Sequence, residues 1–193
     1  MLKDLLSAVA IALTFMAYLP YIRAIRRGRT KPHAFSWIIW GSTTLIACAA
    51  QLSDGGGIGA WPTGISGLIT LYVALLAYRN RGDRSITAVD WVFLAAAMSA
   101  LPVWAVTSDA LWAVIILTLV DLLGFGPTVR KAYARPHEEQ LTFFAIMMVR
   151  SILAAIALER YSATTLLFPL GIAAGCALFI PMVWIRRRLA QET

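Results

Sequence analysis

The chain has 193 residues, of which 60% are hydrophobic and only 14% charged, with a mean hydropathy of +0.73 and a formal charge of +7. Soluble domains are usually about 45–50% apolar, so the composition excludes a water-facing globule and asks for a lipid bilayer as part of the solvent. The positive charge does not point to nucleic acid, because the basic residues sit in short loops with no stacking aromatic beyond Tyr133.

A spanning helix needs about 20 mostly apolar residues. Such stretches run, in chain order, over 4–25, 33–52, 58–78, 86–106, 109–131, 138–158 and 163–185. They use nearly all of the chain and leave no soluble domain or long linker. The first is no cleavable signal: it has no basic leader beyond Lys3, runs too long, and continues into Pro20 and an arginine cluster. Basic residues gather after the odd-numbered spans: Arg23, Arg26, Arg27, Arg29 and Lys31; Arg79, Arg81 and Arg84; Arg130, Lys131 and Arg135; Arg186, Arg187 and Arg188. The other side carries Asp54, Asp109 and Glu159, with Lys3 and Arg160 as its basic residues. By the positive-inside rule the N-terminus is outside and the C-terminus cytoplasmic. An integral protein of a bacterial cytoplasmic (inner) membrane is expected.

Sliding the chain against itself by 107 residues sets Leu19-Pro20-Tyr21-Ile22-Arg23 over Gly126-Pro127-Thr128-Val129-Arg130, and Pro62-Thr63-Gly64-Ile65 over Pro169-Leu170-Gly171-Ile172. Arg79 and Arg81 fall over Arg186 and Arg188, and with a three-residue gap Pro32-His33 matches Pro136-His137. Spans one to three and five to seven therefore read as two parallel copies of one unit, residues 1–82 and 108–193, with span four (83–107) as a linker helix. Two parallel three-helix units, a linker and an outside N-terminus make a chain that resembles the SWEET/PQ-loop superfamily of transporters along its whole length. The likeness includes the proline late in the first helix of each unit, Pro20 and Pro127. Tyr21 and Thr128 replace the family's glutamine, and spans three and seven lack the asparagine of its sugar pocket, so the resemblance implies the fold and transport but not a sugar.

A proline inside a helix removes one hydrogen bond and kinks it. Pro20, Pro127, Pro62 and Pro169, paired between units, are candidate hinges for alternating access, or else shape static packing. Two charges sit among apolar residues, Asp121 in span five and Arg150 in span six, each costing roughly 2.5–3.5 kcal/mol at the membrane centre. They are candidates for each other, as a structural ion pair, or for function: Asp121 as a carboxylate sensing a proton or cation, Arg150 as a partner for an anionic group of the substrate. The family resemblance implies a coupling role for an acid in the fifth helix.

Trp37, Trp40, Thr44, Cys48 and Gln51 recur at three and four residues, which places two indoles and several polar groups on one helical face, as a solute pocket requires. Interface anchoring is the alternative for Trp37 above all. A Trp-x-x-Trp motif is also similar to nicotinamide riboside transporters, a SWEET-like family. Ser66 and Thr70 of span three, with Thr63 and Gly67, offer hydroxyl and small groups for the pocket or for close packing, opposite Gly171, Gly175 and Cys176 of span seven. His33 and His137 begin spans two and six just after proline, as helix-start interface residues or, alternatively, proton relays.

Cys48 and Cys176 have no metal or disulfide spacing, no catalytic or nucleotide-binding signature is present, and Gly55-Gly56-Gly57 reads as a turn, so neither an enzyme nor a cofactor is expected. The reading is a small-solute transporter, facilitative or proton-coupled, for a sugar-like, nucleoside-like or amino or organic acid solute. Its partners are that solute and membrane lipid, with room for a homo-oligomer and none for nucleic acid. A non-transporting receptor or sorting protein of the same fold stays open, as does, less favoured, an enzyme of lipid substrates.

Overall fold

The computed structural model describes residues 1–28, 32, 34–79, 88–126, 129, 132–133, 136–138 and 141–190, with backbone alone at 89, 90 and 138. Among these residues the chain is all helical, without a strand: α1 (Leu2–Arg26), α2 (Ala34–Ser53), α3 (Trp61–Arg79), α4 (Ala88–Thr107), α5 (Ala110–Gly124), α6 (Leu141–Ala157) and α7 (Ala163–Leu189). A 3-10 turn, Gly57–Ala60, leads directly into α3. His33, Pro127 and Thr128, with Arg29, Lys31, Arg81, Arg84, Arg130, Lys131 and Arg135, lie outside the described residues.

Four segments are long and apolar enough to cross a membrane: Leu2–Arg26, Ala34–Ser53, Gly57–Arg79 and Ala163–Leu189. The burial pattern agrees with a helical membrane protein. Large apolar side chains such as Leu68, Val92, Leu123 and Leu178 point outward, whereas Ser7, Thr14, Thr43, Gln51, Ser66, Thr118, Ser151 and Thr165 are buried between helices. Water would penalise such a surface; lipid accepts it and drives hydroxyls inward to find partners.

Side-chain caps start two of the helices. Asp109 accepts the Leu111 amide (2.9 Å) at the head of α5, and Ser162 and Thr165 form a capping box at the head of α7. The α5 helix is shorter than the 109–131 stretch suggests, because its regular part ends at Gly124. The Phe125 amide there tightens onto Leu122 O (3.2 Å), and the next described bond, Val129 N to Phe125 O (3.0 Å), belongs to a new turn. Pro127 in this stretch supplies no amide to carry the ladder through. By contrast α1 runs unbroken through Pro20, and α7 through Pro169 and Pro181.

α3 packs between α1 and α2, and α7 between α5 and α6, so the sequence neighbours α5 and α6 are held apart. The halves meet chiefly at α1 against α6 and at α2 against α5, and α4 leans on α5 and α2. Small residues permit the closest approaches: a Cβ on Gly64 would come 2.9 Å from the Cys48 sulfur, and one on Gly171 2.6 Å from Thr118. The small faces of α3 and α7 thus serve packing against α2 and α5, rather than an opposition of α3 to α7.

Candidate functional site

At each of the two main seams between the halves one polar side chain crosses to the other. On α2, Thr43 donates its hydroxyl to Asp121 Oδ1 of α5 at 2.7 Å. On α6, the Arg150 guanidinium donates from Nε to Thr14 Oγ1 of α1 (3.0 Å), from Nη2 to the Pro62 carbonyl (2.7 Å), and at 3.5 Å from Nη1 to Ser151. Thr14, Thr43 and Arg150 fall near the middle of their helices, and Asp121 joins their layer from the last turn of α5.

The expected pair between Asp121 and Arg150 is not formed. Each has its own neutral partners, because α7 lies between the helices that carry them. Arg150 is 5% exposed and has no carboxylate within 4 Å among the described residues. Hydrogen bonds from a charged donor are worth about 1.5–3 kcal/mol each, so these three contacts offset the roughly 2.5–3.5 kcal/mol that a centred arginine costs. Asp121 is only partly buried, and its second oxygen has no hydrogen-bond partner among the described residues. One turn away, the Trp40 indole nitrogen lies against Gly124, also without a hydrogen-bond partner among them.

On the side of this layer toward the arginine clusters, aromatic rings close the space between the helices. Trp40 meets Trp37 (5.8 Å between centroids), Trp37 meets Tyr21 (5.1 Å) and Tyr18 (6.3 Å), and Tyr18 meets Phe143 (6.0 Å). Phe143 meets Phe144 (5.4 Å), which meets Phe125 (5.6 Å), next to the Gly124 that Trp40 touches. The belt takes two rings from each of α1, α2 and α6 and one, Phe125, from just after α5.

At the opposite end the 54–58 loop of the first half is latched to the 158–162 loop of the second. Asp54 pairs with Arg160 (3.1 Å) and accepts the Ser162 hydroxyl. The Glu159 amide donates to Gly56 O (3.0 Å), and Lys3 Nζ to Leu158 O (2.5 Å). Gly59 rests on the α6 terminus so closely that a Cβ would come 2.5 Å from the Ala157 carbonyl carbon. Deeper in, Gln51 Nε2 donates to Thr165 O (2.9 Å).

The residues expected in the site are thus divided. Trp37 and Trp40 belong to the aromatic belt and Arg150 to the polar layer. Thr44 donates to its own helix at Trp40 O (2.7 Å), and Thr70 bonds Tyr18 (3.0 Å) and Ser66 O (2.8 Å), so these hydroxyls serve helix packing. The Trp37–Gln51 stripe also splits, with Cys48 against Ala60 O and Gln51 against α7. Pro62 stands in the first turn of α3, where proline costs no helical bond, so the kink argument does not apply to it; its carbonyl receives Arg150 instead. Thr14 and Thr43 were not foreseen. The signal was available: Thr14 lies 107 residues before Asp121, and Thr43 the same distance before Arg150.

No protein-family model matches the chain, and no curated protein or solved structure proves similar to it.

Proposed function

We propose that the chain is a small-solute membrane transporter working by alternating access between two parallel three-helix units, 1–82 and 108–193, joined by the linker helix α4. The observation that carries this reading is the pair of cross-seam bonds, Thr14 with Arg150 and Thr43 with Asp121. A shift of 107 turns the positions of one into those of the other, as expected for a pseudo-two-fold repeat with its site between the copies. The same shift relates Trp37 beside Tyr18 to Phe144 beside Phe125. It also relates the starts of α2 and α6, at Ala34 and Leu141, which favours a gap-free register over the offset that Pro32-His33 and Pro136-His137 suggest. With the N-terminus outside, the latch is the external gate and the aromatic belt the cytoplasmic one.

Of the solute classes, an unneutralised guanidinium together with a half-open carboxylate favours an amino or organic acid over a neutral sugar or nucleoside. Purified protein in proteoliposomes should therefore exchange at least one such acid against an internal pool. Asp121→Asn should abolish any dependence on a pH gradient while leaving exchange measurable. Binding without exchange would favour the receptor reading, and formation of a product the enzyme reading; either would overturn the proposal.

A further inference from the structure

We infer that the outward-facing groove between α7 and the residues at and after the end of α5 holds an acyl chain of an anionic phospholipid, with the lipid phosphate on Arg186. Two outward-facing grooves among the described residues are related by the 107-residue shift. One lies between α1 and α3, about 370 Å³, lined by Tyr18, Leu19, Ile22, Leu68 and Tyr72 among others. The other lies between α7 and the residues that follow α5, about 670 Å³, with Phe125, Gly126, Val129, Gly175 and Phe179 at the corresponding places, 107 residues on. Their difference in size has a cause in the sequence: Leu19 and Leu68 partly fill the smaller groove, and glycines 126 and 175 leave the larger one open. Its volume falls within the roughly 300–1,000 Å³ of small-molecule sites.

The larger groove has an apolar lining, a buried floor at Phe179 and an outer rim at Leu178, which is 76% exposed. On a membrane-spanning surface the solvent it meets is lipid, so the occupant that matches it is hydrocarbon. Its mouth, toward the arginine-rich end, supplies the head-group site. Tyr133 lines it, and the Arg186 guanidinium stacks on that ring at 4.1 Å while Nε donates to Tyr133 O (3.1 Å). The two terminal nitrogens of Arg186 have no partner among the described residues and present the fork that a phosphate takes in bidentate fashion. In the smaller groove the matching end is already occupied, since Arg26 Nη2 donates to Tyr72 (2.9 Å).

The test is native mass spectrometry of the full chain extracted from membranes of equal phosphatidylglycerol and phosphatidylcholine. Wild type should retain one phosphatidylglycerol in preference to phosphatidylcholine. Gly126→Leu places in the second groove the side chain of the first; nothing lies within 4 Å of its Cβ, and the backbone there is not left-handed, so the variant should fold. It should lower lipid occupancy about tenfold or more by displacing methylenes. Arg186→Gln should keep a bound lipid but lose the preference, bringing the ratio of the two lipids to about one. Equal retention of both lipids by wild type, or wild-type retention of phosphatidylglycerol by both variants, would overturn the inference.

Discussion

Arg150→Gln should give a folded protein that moves its solute far more slowly. Breaking a buried ion pair usually costs about 3–5 kcal/mol, because the remaining charge is left alone. Arg150 makes no such pair: Thr14, Ser151 and the Pro62 carbonyl are neutral, and Thr14 keeps its bond to Ala10 O (2.8 Å) without it. The stability cost should therefore be about 1–2 kcal/mol, visible as a modest drop in thermal unfolding temperature. Uptake should fall about 10–100-fold, the value of one hydrogen bond to a charged group on the solute. The layout also predicts that the stability losses of Asp121→Asn and Arg150→Gln add within about 0.5 kcal/mol, since the two share no hydrogen-bond partner. A double variant that regains stability would show instead that they neutralise each other.

Bridging the external latch should stop transport completely and reversibly. Asp54 and Ser162 are in direct hydrogen-bond contact across the two loops, so cysteines at these positions can be joined by a short bis-methanethiosulfonate reagent, which releases two sulfinates as it forms two reducible disulfides. Cys48 and Cys176 are buried and free, and would first be replaced by alanine. Because the latch is made of a part-exposed ion pair and a few hydrogen bonds, each worth about 0–1.5 kcal/mol, it can open thermally. A covalent bridge cannot, so uptake should vanish on reaction and return on reduction, as expected when gate opening is an obligatory step. Undiminished flux in the bridged protein would mean that these loops do not move during the cycle.

Much of this architecture was legible in the chain. Apolar length gave the helices, and the outlying charges Asp121 and Arg150 marked the two seams, because hydrocarbon tolerates such groups only where protein receives them. Their partners were harder to foresee. Threonine is ordinary in a membrane helix, and Thr14 and Thr43 acquire meaning only when the 107-residue shift is carried past the prolines to every position. The false pairing of Asp121 with Arg150 came from treating α5 and α6 as spatial neighbours, whereas insertion of the third helix between the first two is a packing choice that hydropathy does not encode. The hydroxyls of Thr44 and Thr70 illustrate a related limit. A stripe of polar groups at helical spacing reads alike whether it lines a pocket or returns its bonds to the backbone, and here it does the latter.

The most direct test of alternating access at the polar layer is the reach of a membrane-impermeant thiol reagent to a cysteine at Thr43, which is fully buried in this structure, measured without other cysteines and again with bridged cysteines at Asp54 and Ser162. In oriented vesicles the cysteine should be labelled slowly from either side. Once the Asp54–Ser162 positions are bridged, labelling should persist from the cytoplasmic side only. Labelling from neither side in the unbridged protein, or continued labelling from the outside after bridging, would contradict the account.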